Sequence, residues 1–564
     1  MNNKLLLTGV FGPYGKKTKY AEGLGMQMEL LNNQITRQQG IHSPRQFYFT
    51  HALYLLAENI SVPSTVLDFP LWKNFVRELR HGNYTHVGIN FIVPNVLKAK
   101  RMAEHIRKHH PDIKIILGGY GTIIPELELI MPFDEKCTGE GVRWLRNYFG
   151  EDPEAPIVHP VLQNPIQQKI YGFKTIPRSS VLLPGLGCTN ACEFCITSHV
   201  FDKQYTSFLK TGKDMFNACL ESEKKLNATG FTIMDENFLK DPQKAIDFLA
   251  EMEKHKKNYV FEIFSSAEVI NNLGIDFLVR LGVKMVWIGV ESKAWAHAKV
   301  KGIDLKKMIA ELQRNGIVVN SSAILFLEHH TEKNLQEDID WVLDLGADLT
   351  QFMNYTPFPR TSLYERMKRD GIMKSIKDLH YRHYHGATEL NWVHPYITNP
   401  KKHFSYTKNA FRRKNKENGS GLLNMARTAI MGFKKGLNDF KEREWKEMVW
   451  DAVTLKYQQS KNFVSDEFMK LRLRKTQKIA MNVRPLLLSL LVFSPNIKIR
   501  KKVKDVIAQF NEVLGKQDIS DKFKSWVLLS FAAVEWIRLQ GQRLIGEETI
   551  VRQPPVIRRV YSKR

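Results

Sequence analysis

Three of the five cysteines lie within eight residues, inside the stretch LPGLGCTNACEFCITSHVF (183–201). Cys188, Cys192 and Cys195 are spaced as C-x-x-x-C-x-x-C. Thiolates two or three residues apart can bind one metal centre together. A three-thiolate iron–sulfur cluster would keep one iron open, as reactive metal centres do. The alternative is a zinc site with His199 as fourth ligand, although zinc spacings usually repeat in two separated halves.

Composition and charge limit the class of protein. Five cysteines in 564 residues make no disulfide framework, so we expect a reducing, cytoplasmic environment. The first residues form too short an apolar run for a signal peptide, and no run reaches about 18 apolar residues, so we expect no membrane-spanning helix. Residues 401–564 hold 36 Lys and Arg against 15 Asp and Glu and carry most of the net charge of +25. This asymmetry predicts a separate basic module.

Alternating strand and helix signals predict an α/β protein that positions the cysteine loop. Residues 1–155 are expected to form a doubly wound, Rossmann-like parallel sheet, whose ligands bind beyond the carboxyl ends of the strands. Residues 156–178 are rich in proline and glutamine and predict a linker. Residues 179–400 show six strand–helix steps, typical of a partial (β/α)6 TIM-like barrel with the cysteine loop at its carboxyl-end rim. Residues 401–564 predict a mainly α-helical C-terminal domain.

The cysteine loop after the first barrel strand, with an aromatic before its last cysteine, resembles the radical S-adenosylmethionine superfamily. The resemblance implies a [4Fe-4S] cluster held by Cys188, Cys192 and Cys195, with S-adenosylmethionine chelating the open iron. Its reductive cleavage would give a 5′-deoxyadenosyl radical that abstracts hydrogen. Phe194 matches the aromatic that packs near the adenine.

Three later stretches resemble the family's S-adenosylmethionine contacts, in the expected order: GFTIMDENF, FEIFSSAEVI and VWIGVES. The resemblance implies cofactor contacts from six residues, which are Asp235, Glu236, Ser266, Glu268, Gly289 and Glu291. For the first two of these, the alternative is a solvated acidic loop that caps the next helix.

The N-terminal part resembles the cobalamin-binding domain of the methyltransferase-like subclass of these enzymes. The stretches GIN (88–90), LGGYGT (117–122) and TGEGV (138–142) carry this resemblance. The loop GVFGPYG (9–15) lacks the D-x-H-x-x-G run of other cobalamin proteins, which implies binding without a protein histidine on cobalt. The implied cobalamin contacts are Gly12, Asn90, Gly118, Gly119, Tyr120, Gly121 and Glu140. A sheet that only caps the barrel and binds no corrinoid is the alternative.

The resemblance implies an enzyme that methylates an unactivated carbon and takes electrons from a donor such as flavodoxin or ferredoxin. Radical ring closure or C–C bond formation without methyl transfer is an alternative reaction. A non-catalytic metal- or corrinoid-binding protein at the membrane surface is a hypothesis of a different class. The histidine- and aromatic-rich stretch 379–395 has no diagnostic metal spacing, and we expect it to line the substrate cavity or pack the end of the barrel.

The basic segment leaves three interpretations open. It can be a solvated helical cap over the barrel mouth, since charge runs usually face water. It can bind anionic lipid head groups, because short apolar stretches beside Lys and Arg suit a helix in the membrane interface. Nucleic acid is not favoured, because no RNA-binding module is recognisable. We therefore expect a lipid or another hydrophobic small molecule as substrate, and peripheral contact with an anionic membrane.

Overall fold

The computed structural model describes residues 3–14, 18–20, 34–165, 167–175, 178–294, 300–387, 389–441, 446–451, 456–463, 467–544 and 557–561. Its strands are β1 (Leu5–Gly9), β2 (Arg45–Phe47), β3 (Ser64–Asp68), β4 (His86–Asn90), β5 (Lys114–Gly118), β6 (Glu135–Lys136), β7 (Gln167–Ile170), β8 (Phe173–Thr175), β9 (Ser179–Leu182), β10 (Gly185–Gly187), β11 (Tyr205–Ser207), β12 (Gly230–Ile233), β13 (Val260–Ser265), β14 (Val283–Glu291), β15 (Val318–Leu325), β16 (Leu349–Asn354), β17 (Lys446–Asp451), β18 (Lys456–Phe463) and β19 (Ile557–Tyr561).

Its α-helices are α1 (His51–Glu58), α2 (Trp72–Gly82), α3 (Val96–His109), α4 (Leu127–Ile130), α5 (Gly141–Tyr148), α6 (Ile196–Val200), α7 (Gly212–Leu226), α8 (Pro242–Lys254), α9 (Ala267–Leu273), α10 (Ile275–Leu281), α11 (Leu305–Arg314), α12 (Glu332–Asp344), α13 (Ser362–Arg369), α14 (Pro400–Arg413), α15 (Gly421–Lys441), α16 (Glu467–Val483), α17 (Leu487–Val492), α18 (Ile497–Leu514) and α19 (Ile519–Leu544). None of these helices, within the described ranges, has the length and apolarity needed to cross a bilayer.

The first sheet has the strand order β19-β3-β1-β4-β5-β6. All its neighbouring pairs are parallel except β19 on β3. Alternate residues of β1 face opposite sides: Leu5 and Leu7 pack with α1 and α5, while Leu6 packs with α2 and α3. From β3 the chain crosses to β4 on the other side of β1. Such a reversal is a topological switch point, where ligands of open parallel sheets bind.

The second sheet places β9, β12, β13, β14, β15 and β16 side by side in chain order, all parallel. The helices between them cover one face and bury the largest hydrophobic core, which includes Phe231, Phe248 and Phe277. With all strands parallel, their carboxyl ends meet at one edge. The cysteine loop follows β9 at that edge. An α/β architecture built on parallel sheets is thus confirmed.

The C-terminal helices cover the amino end of the second sheet. Arg472 of α16 is buried and donates to the carbonyls of Arg280 (2.9 Å), Leu281 (2.7 Å) and Tyr259, which precede β14 and β13. A Cβ on Gly432 of α15 would lie 2.2 Å from the Cα of Gly316. Helices α15 and α16 therefore pack closely on the end opposite to the cysteine loop, which differs from the interpretation of the basic segment as a cap over the barrel mouth. Helix α14, by contrast, lies at the carboxyl end, where Thr407 donates to Asn354 of β16 (2.6 Å).

Two segments differ from the sequence prediction. The stretch 156–178, predicted as a linker, contains β7 and β8, which form a small antiparallel sheet with β2. Residues 401–564, predicted as mainly α-helical, also contribute β19, whose five residues pair with β3. Without β19, β3 would leave a row of unpaired backbone groups at the edge. The pairings of β2 with β7 and of β19 with β3 join distant parts of the chain, so local sequence patterns carry no signal for them.

Candidate cofactor site

The cysteine loop lies in the connection between the antiparallel strands β10 and β11. Gly187, directly before Cys188, has φ +89°, and a Cβ there would lie 2.1 Å from the Gln204 carbonyl oxygen. This position therefore requires glycine. The N–H of Cys195, where α6 begins, donates to the Cys192 carbonyl (3.0 Å). Cys192 is buried, while the other two thiols are half-buried, and none of the five cysteines, all within the described residues, forms a disulfide.

Side chains from outside the loop hold it in place. The Ser198 hydroxyl donates to the Cys188 carbonyl (2.9 Å). The Tyr355 hydroxyl, just beyond β16, donates to Glu193 Oε1 (2.7 Å). The ring of Phe194 lies 6.4 Å from that of Tyr355 and packs against the core of the second sheet. The loop is thus organised by the protein itself, as a precise metal-binding loop needs to be.

Both ring nitrogens of His199 are used for structure. Nε2 accepts from the Ser362 N–H (3.2 Å) and lies 2.8 Å from the Ser362 hydroxyl. Nδ1 lies 2.9 Å from the Cys195 carbonyl, so it carries the proton and donates. No lone pair remains for zinc, and this geometry contradicts the zinc alternative. In the part of the chain that the structure describes, no three His, Cys, Asp or Glu side chains are grouped to hold one metal ion.

We expect a His199→Ala variant to keep its iron and sulfide. It loses the hydrogen bonds to Cys195 and Ser362, which lowers the free energy of unfolding by about 1 to 2 kcal/mol. Metal analysis after anaerobic purification, together with thermal melting, checks this result. Zinc in the parent protein that disappears from the variant would restore the zinc interpretation.

Asp235 and Glu236 follow β12 at the edge where the cysteine loop lies. Asp235 is buried and accepts hydrogen bonds from the Tyr205 hydroxyl (2.6 Å) and the Asn237 N–H (3.0 Å). Burial raises the pKa of Asp235. The next long helix, α8, is capped by Asp241 instead. The alternative of a solvated loop that caps this helix is therefore wrong for Asp235.

A series of hydrogen bonds links a residue predicted to contact cobalamin with a residue predicted to contact S-adenosylmethionine. The Thr197 hydroxyl, two residues after Cys195, donates to Glu236 Oε1 (3.1 Å). The Tyr120 hydroxyl lies 3.2 Å from that of Thr197. Burial raises the pKa of Tyr120, so its hydroxyl stays protonated and can donate to Thr197. Tyr120 was predicted to contact cobalamin and Glu236 to contact S-adenosylmethionine, whereas Thr197 was missed.

The remaining predicted S-adenosylmethionine contacts divide into buried and exposed residues. Ser266, after β13, is buried and accepts from Asn237 Nδ2 (3.4 Å). Glu291, at the end of β14, is buried, and a Cβ on Gly289 would lie 2.4 Å from its Oε1. The group that lies close to the Gly289 backbone is therefore the carboxylate of Glu291. Glu268, on the first turn of α9, is exposed, in contrast to the buried Ser266 and Glu291.

A cavity of about 290 Å³, which we call the sheet cavity, lies between the first sheet, α1 and α5. Its walls include five of the predicted cobalamin contacts, namely Asn90, Gly118, Gly119, Tyr120 and Glu140. Glu140 also caps α5, accepting from the N–H groups of its first turn. The other two predicted contacts, Gly12 and Gly121, lie outside the walls. Gly12 donates to the Pro70 carbonyl (2.8 Å), and a Cβ on Gly121 would strike the Phe91 ring at 2.2 Å.

Sequence reasoning missed other parts of the sheet cavity. Leu186, Val200 and Phe201, which flank the cysteine loop, close one side of it. His51, at the start of α1, also lines it, and its buried Nε2 has no hydrogen-bond partner among the described residues. Burial lowers the pKa of His51 to about 4, so the ring is neutral at pH 7. The glycine backbone, the apolar walls and the unpartnered imidazole nitrogen match the chemistry of a corrin, which has an apolar ring and amide side chains, and the cavity of about 290 Å³ has room for part of such a molecule.

A second cavity of about 200 Å³, which we call the loop cavity, shares Tyr120 with the sheet cavity. Ile196, directly after Cys195, and Met353 of β16 form further walls. Tyr384 and His385 come from the aromatic-rich stretch 379–395, as expected for a cavity lining. The other walls are largely apolar. The loop cavity therefore adjoins both the cysteine loop and the sheet cavity.

Comparison with curated proteins finds distant relatives. No protein-family model matches the chain. The anaerobic magnesium-protoporphyrin IX monomethyl ester cyclase of Rubrivivax gelatinosus is 24% identical over 326 residues, 50% of this chain and 58% of that enzyme. The bacteriochlorophyllide d C-12(1)-methyltransferase of Chlorobaculum tepidum is 25% identical over 205 residues, 34% of this chain and 43% of the enzyme. The chain thus spans about half the length of these relatives.

The chain is also similar to a second bacteriochlorophyllide methyltransferase and to a protein of known structure. The bacteriochlorophyllide d C-8(2)-methyltransferase of Chlorobaculum tepidum is 22% identical over 334 residues, 53% of this chain and 71% of the enzyme. The radical S-adenosylmethionine methyltransferase TsrM of Kitasatospora setae, solved with cobalamin and a [4Fe-4S] cluster, aligns with 86% of this chain and 99% of its own, with 13% identity and a TM-score of 0.47. The expected resemblance to methyltransferase-like enzymes is confirmed as homology: the chain is a distant homologue of a magnesium-protoporphyrin monomethyl ester cyclase and of two bacteriochlorophyllide methyltransferases.

Proposed function

We propose that the protein is a radical S-adenosylmethionine enzyme that uses a [4Fe-4S] cluster and cobalamin to methylate an unactivated carbon of a hydrophobic substrate. The observation that carries this proposal is the position of the cysteine loop. Residues that flank it line the sheet cavity, and the loop lies at the sheet edge where the buried Asp235 follows β12. The hydrogen bonds from Tyr120 to Thr197 and from Thr197 to Glu236 connect the wall of the sheet cavity with the loop after β12. In this proposal the second sheet is the six-stranded partial barrel.

Cys188, Cys192 and Cys195 would hold the cluster. When bound, the cluster supplies the electron for reductive cleavage of S-adenosylmethionine, and cobalamin carries the methyl group. The protein contributes a loop held in place by hydrogen bonds from Ser198 and Tyr355. Burial of Cys192 would shield that side of the metal centre from water.

Asp235 would bind the ammonium group of S-adenosylmethionine. Its carboxyl is buried next to the cysteine loop and oriented by Tyr205 and Asn237. A desolvated carboxylate makes strong, charge-assisted hydrogen bonds to a cation. Ser266 is tied to the same Asn237 and would contribute a hydroxyl to the ribose side of the cofactor.

The loop cavity would hold the substrate. It lies between the cysteine loop, through Ile196, and the sheet cavity, through Tyr120. A carbon placed there would lie between the loop that would hold the cluster and the cavity proposed for cobalamin. The largely apolar walls favour a lipid or another hydrophobic molecule, because burying apolar surface is the main source of affinity in such pockets.

Radical ring closure or C–C bond formation remains the second candidate, since one relative is a cyclase. Anaerobic incubation with reductant, lipid extract and S-adenosylmethionine labelled with deuterium in its methyl group separates the two. Methylation predicts 5′-deoxyadenosine together with a product that carries the label. Ring closure predicts 5′-deoxyadenosine and an unlabelled product that has lost hydrogen. Iron-loaded, reduced protein that forms no 5′-deoxyadenosine would contradict both.

We expect Asp235→Asn to weaken S-adenosylmethionine binding at pH 7.5 by about 10- to 100-fold, the effect of losing one charge-assisted hydrogen bond. Because burial raises the pKa of Asp235, the wild-type carboxyl takes up its proton at a higher pH than an ordinary aspartate. Wild-type affinity should therefore fall as the pH is lowered through that raised pKa, and the variant should lose this dependence. Equilibrium dialysis against labelled S-adenosylmethionine measures both effects.

The matched control is Asp247→Asn, which removes a carboxylate from the exposed side of α8. It should bind as the wild type does at every pH. Equal affinity of the Asp235 and Asp247 variants would contradict the assignment of Asp235.

A further inference from the structure

The last long helix, α19, carries an exposed apolar stripe. Phe523, Trp526, Val534, Ile537 and Leu544 are 69%, 62%, 60%, 66% and 88% exposed. Their successive spacings are three, eight, three and seven residues, and the small residues Ser530 and Gly541 occupy the intervening positions on the same face. This spacing places them on one face of the helix. The opposite face is buried through Ala532 and Leu539, so the helix is apolar on both sides.

Neighbouring residues widen this stripe. Trp536 of α19 is 46% exposed, and its ring lies 6.3 Å from that of Phe493, just after α17. Val492 of α17 and Ile497 of α18 are also exposed. We call α19's stripe together with these residues the apolar helix face. Contiguous exposed apolar surface of this kind usually marks an interaction site.

A basic cavity adjoins the apolar helix face. It has a volume of about 420 Å³ and lies between α17, α18 and α19, with Trp526 in its wall. Arg484, Lys516 and Lys522 line it, and none of its lining residues is acidic. Leu487 and Phe510 supply apolar walls. Such a cavity suits a ligand with an anionic head and an apolar tail.

The C-terminal helices are basic as a group, since residues 467–544 contain 16 Lys and Arg against 6 Asp and Glu. Asp518 and Asp521 lie near Arg484, whereas Lys516 and Lys522 add positive charge to the wall of the cavity. A second copy of this surface would bring two such basic cavities into one contact, which opposes self-association. Nucleic acid could use the cations and stack its bases on the exposed rings, but it would leave the exposed Val534, Ile537 and Leu544 side chains without an apolar partner. An anionic lipid surface satisfies both properties at once.

We propose that the apolar helix face docks on the surface of an anionic phospholipid bilayer. Phe523, Trp526 and Ile537 enter the interface between head groups and acyl chains, where tryptophan is favoured. The basic cavity takes the phosphate of one lipid through Lys516 and Lys522. α19 then lies in the plane of the membrane. This docking does not depend on the proposed reaction.

Vesicle flotation of the full-length protein tests the proposal. We expect binding to vesicles of phosphatidylcholine with phosphatidylglycerol, weak binding to phosphatidylcholine alone, and weakening as salt is raised. Replacing Lys516 and Lys522 by alanine should lower the partition coefficient about 30-fold, about fivefold for each charge. The double variant Phe523→Ser, Trp526→Ser should lower it about 100-fold.

Matched variants control for charge and for hydrophobicity. Lys108→Ala with Lys213→Ala removes two exposed cations elsewhere, and Leu129→Ser with Tyr396→Ser removes two exposed apolar side chains from other parts of the fold. Both control proteins should bind vesicles as the wild type does. Melting temperatures show whether each variant is folded.

Three results would overturn the docking proposal. The first is equal binding to neutral and anionic vesicles. The second is vesicle binding by the Phe523, Trp526 double variant that matches the wild type. The third is evidence that something other than a membrane covers the apolar helix face. Such evidence would be a dimer in sedimentation velocity that the double variant dissociates, or displacement of the vesicles by a nucleic acid.

Discussion

A Cys192→Ala variant is expected to fold normally but to lose its iron–sulfur cluster and, with it, cleavage of S-adenosylmethionine by a factor on the order of 1000 or more. Cys192 is the buried thiol of the loop, and alanine leaves the loop's backbone hydrogen bonds available. A three-thiolate cluster has no spare protein ligand to replace it. Iron and sulfide content, the absorbance spectrum and 5′-deoxyadenosine formation measure the loss.

The control is Cys219→Ala, the same chemical change in the core of the second sheet, on α7. It should lower stability slightly by leaving a small void, while iron content and S-adenosylmethionine cleavage stay at the wild-type level. Full cleavage activity in Cys192→Ala would overturn the proposed function. Loss of the cluster in both variants would show that the measurement reports misfolding rather than ligation.

The cysteine loop and its place in the fold were predictable because their signals are local. Spacing alone assembles Cys188, Cys192 and Cys195, and the preceding strand predicts the edge on which they lie. The same holds for Asp235, which directly follows β12. Strand–helix alternation also predicts parallel sheets, since parallel strands need a crossover between them.

Contacts between distant residues were beyond local patterns. Thr197 links Tyr120, 77 residues earlier, with Glu236, 39 residues later. His51 lies in no motif, and only the packing of α1 on the first sheet brings it to the cavity wall. His199 shows the opposite case. Its spacing suits a zinc ligand, but Ser362, far along the chain, occupies its free nitrogen.

Glycines predicted to contact a cofactor divide into those that line a cavity and those that make room for the protein itself. A glycine is required wherever the backbone approaches another group, and the sequence does not say whether that group is a ligand or the protein. Gly118 faces open space in the sheet cavity, whereas Gly121 makes room for the Phe91 ring. The two stand three residues apart in one motif.

The second prediction with a large expected effect concerns Gly118, where the surrounding atoms leave space for a side chain. A Cβ on Gly118 would meet no atom within 4 Å, and its φ is not left-handed. In Gly118→Phe the ring would fill much of the sheet cavity of about 290 Å³. We expect corrinoid binding to weaken by about 100-fold or more, since a filled pocket cannot bury the ligand.

Cobalamin binding is measured directly, from the absorbance of bound corrinoid after equilibrium dialysis, so the result does not depend on turnover. Gly118→Ala is the control: one methyl group in open space should leave binding within about threefold of the wild type. Because the cysteine loop is untouched, both variants should keep their iron and their cleavage of S-adenosylmethionine. Wild-type cobalamin binding by Gly118→Phe would place the corrinoid elsewhere. Failure of the parent protein to bind cobalamin would instead support the alternative of a sheet that only caps the barrel, and would leave the cluster assignment to the Cys192 experiment.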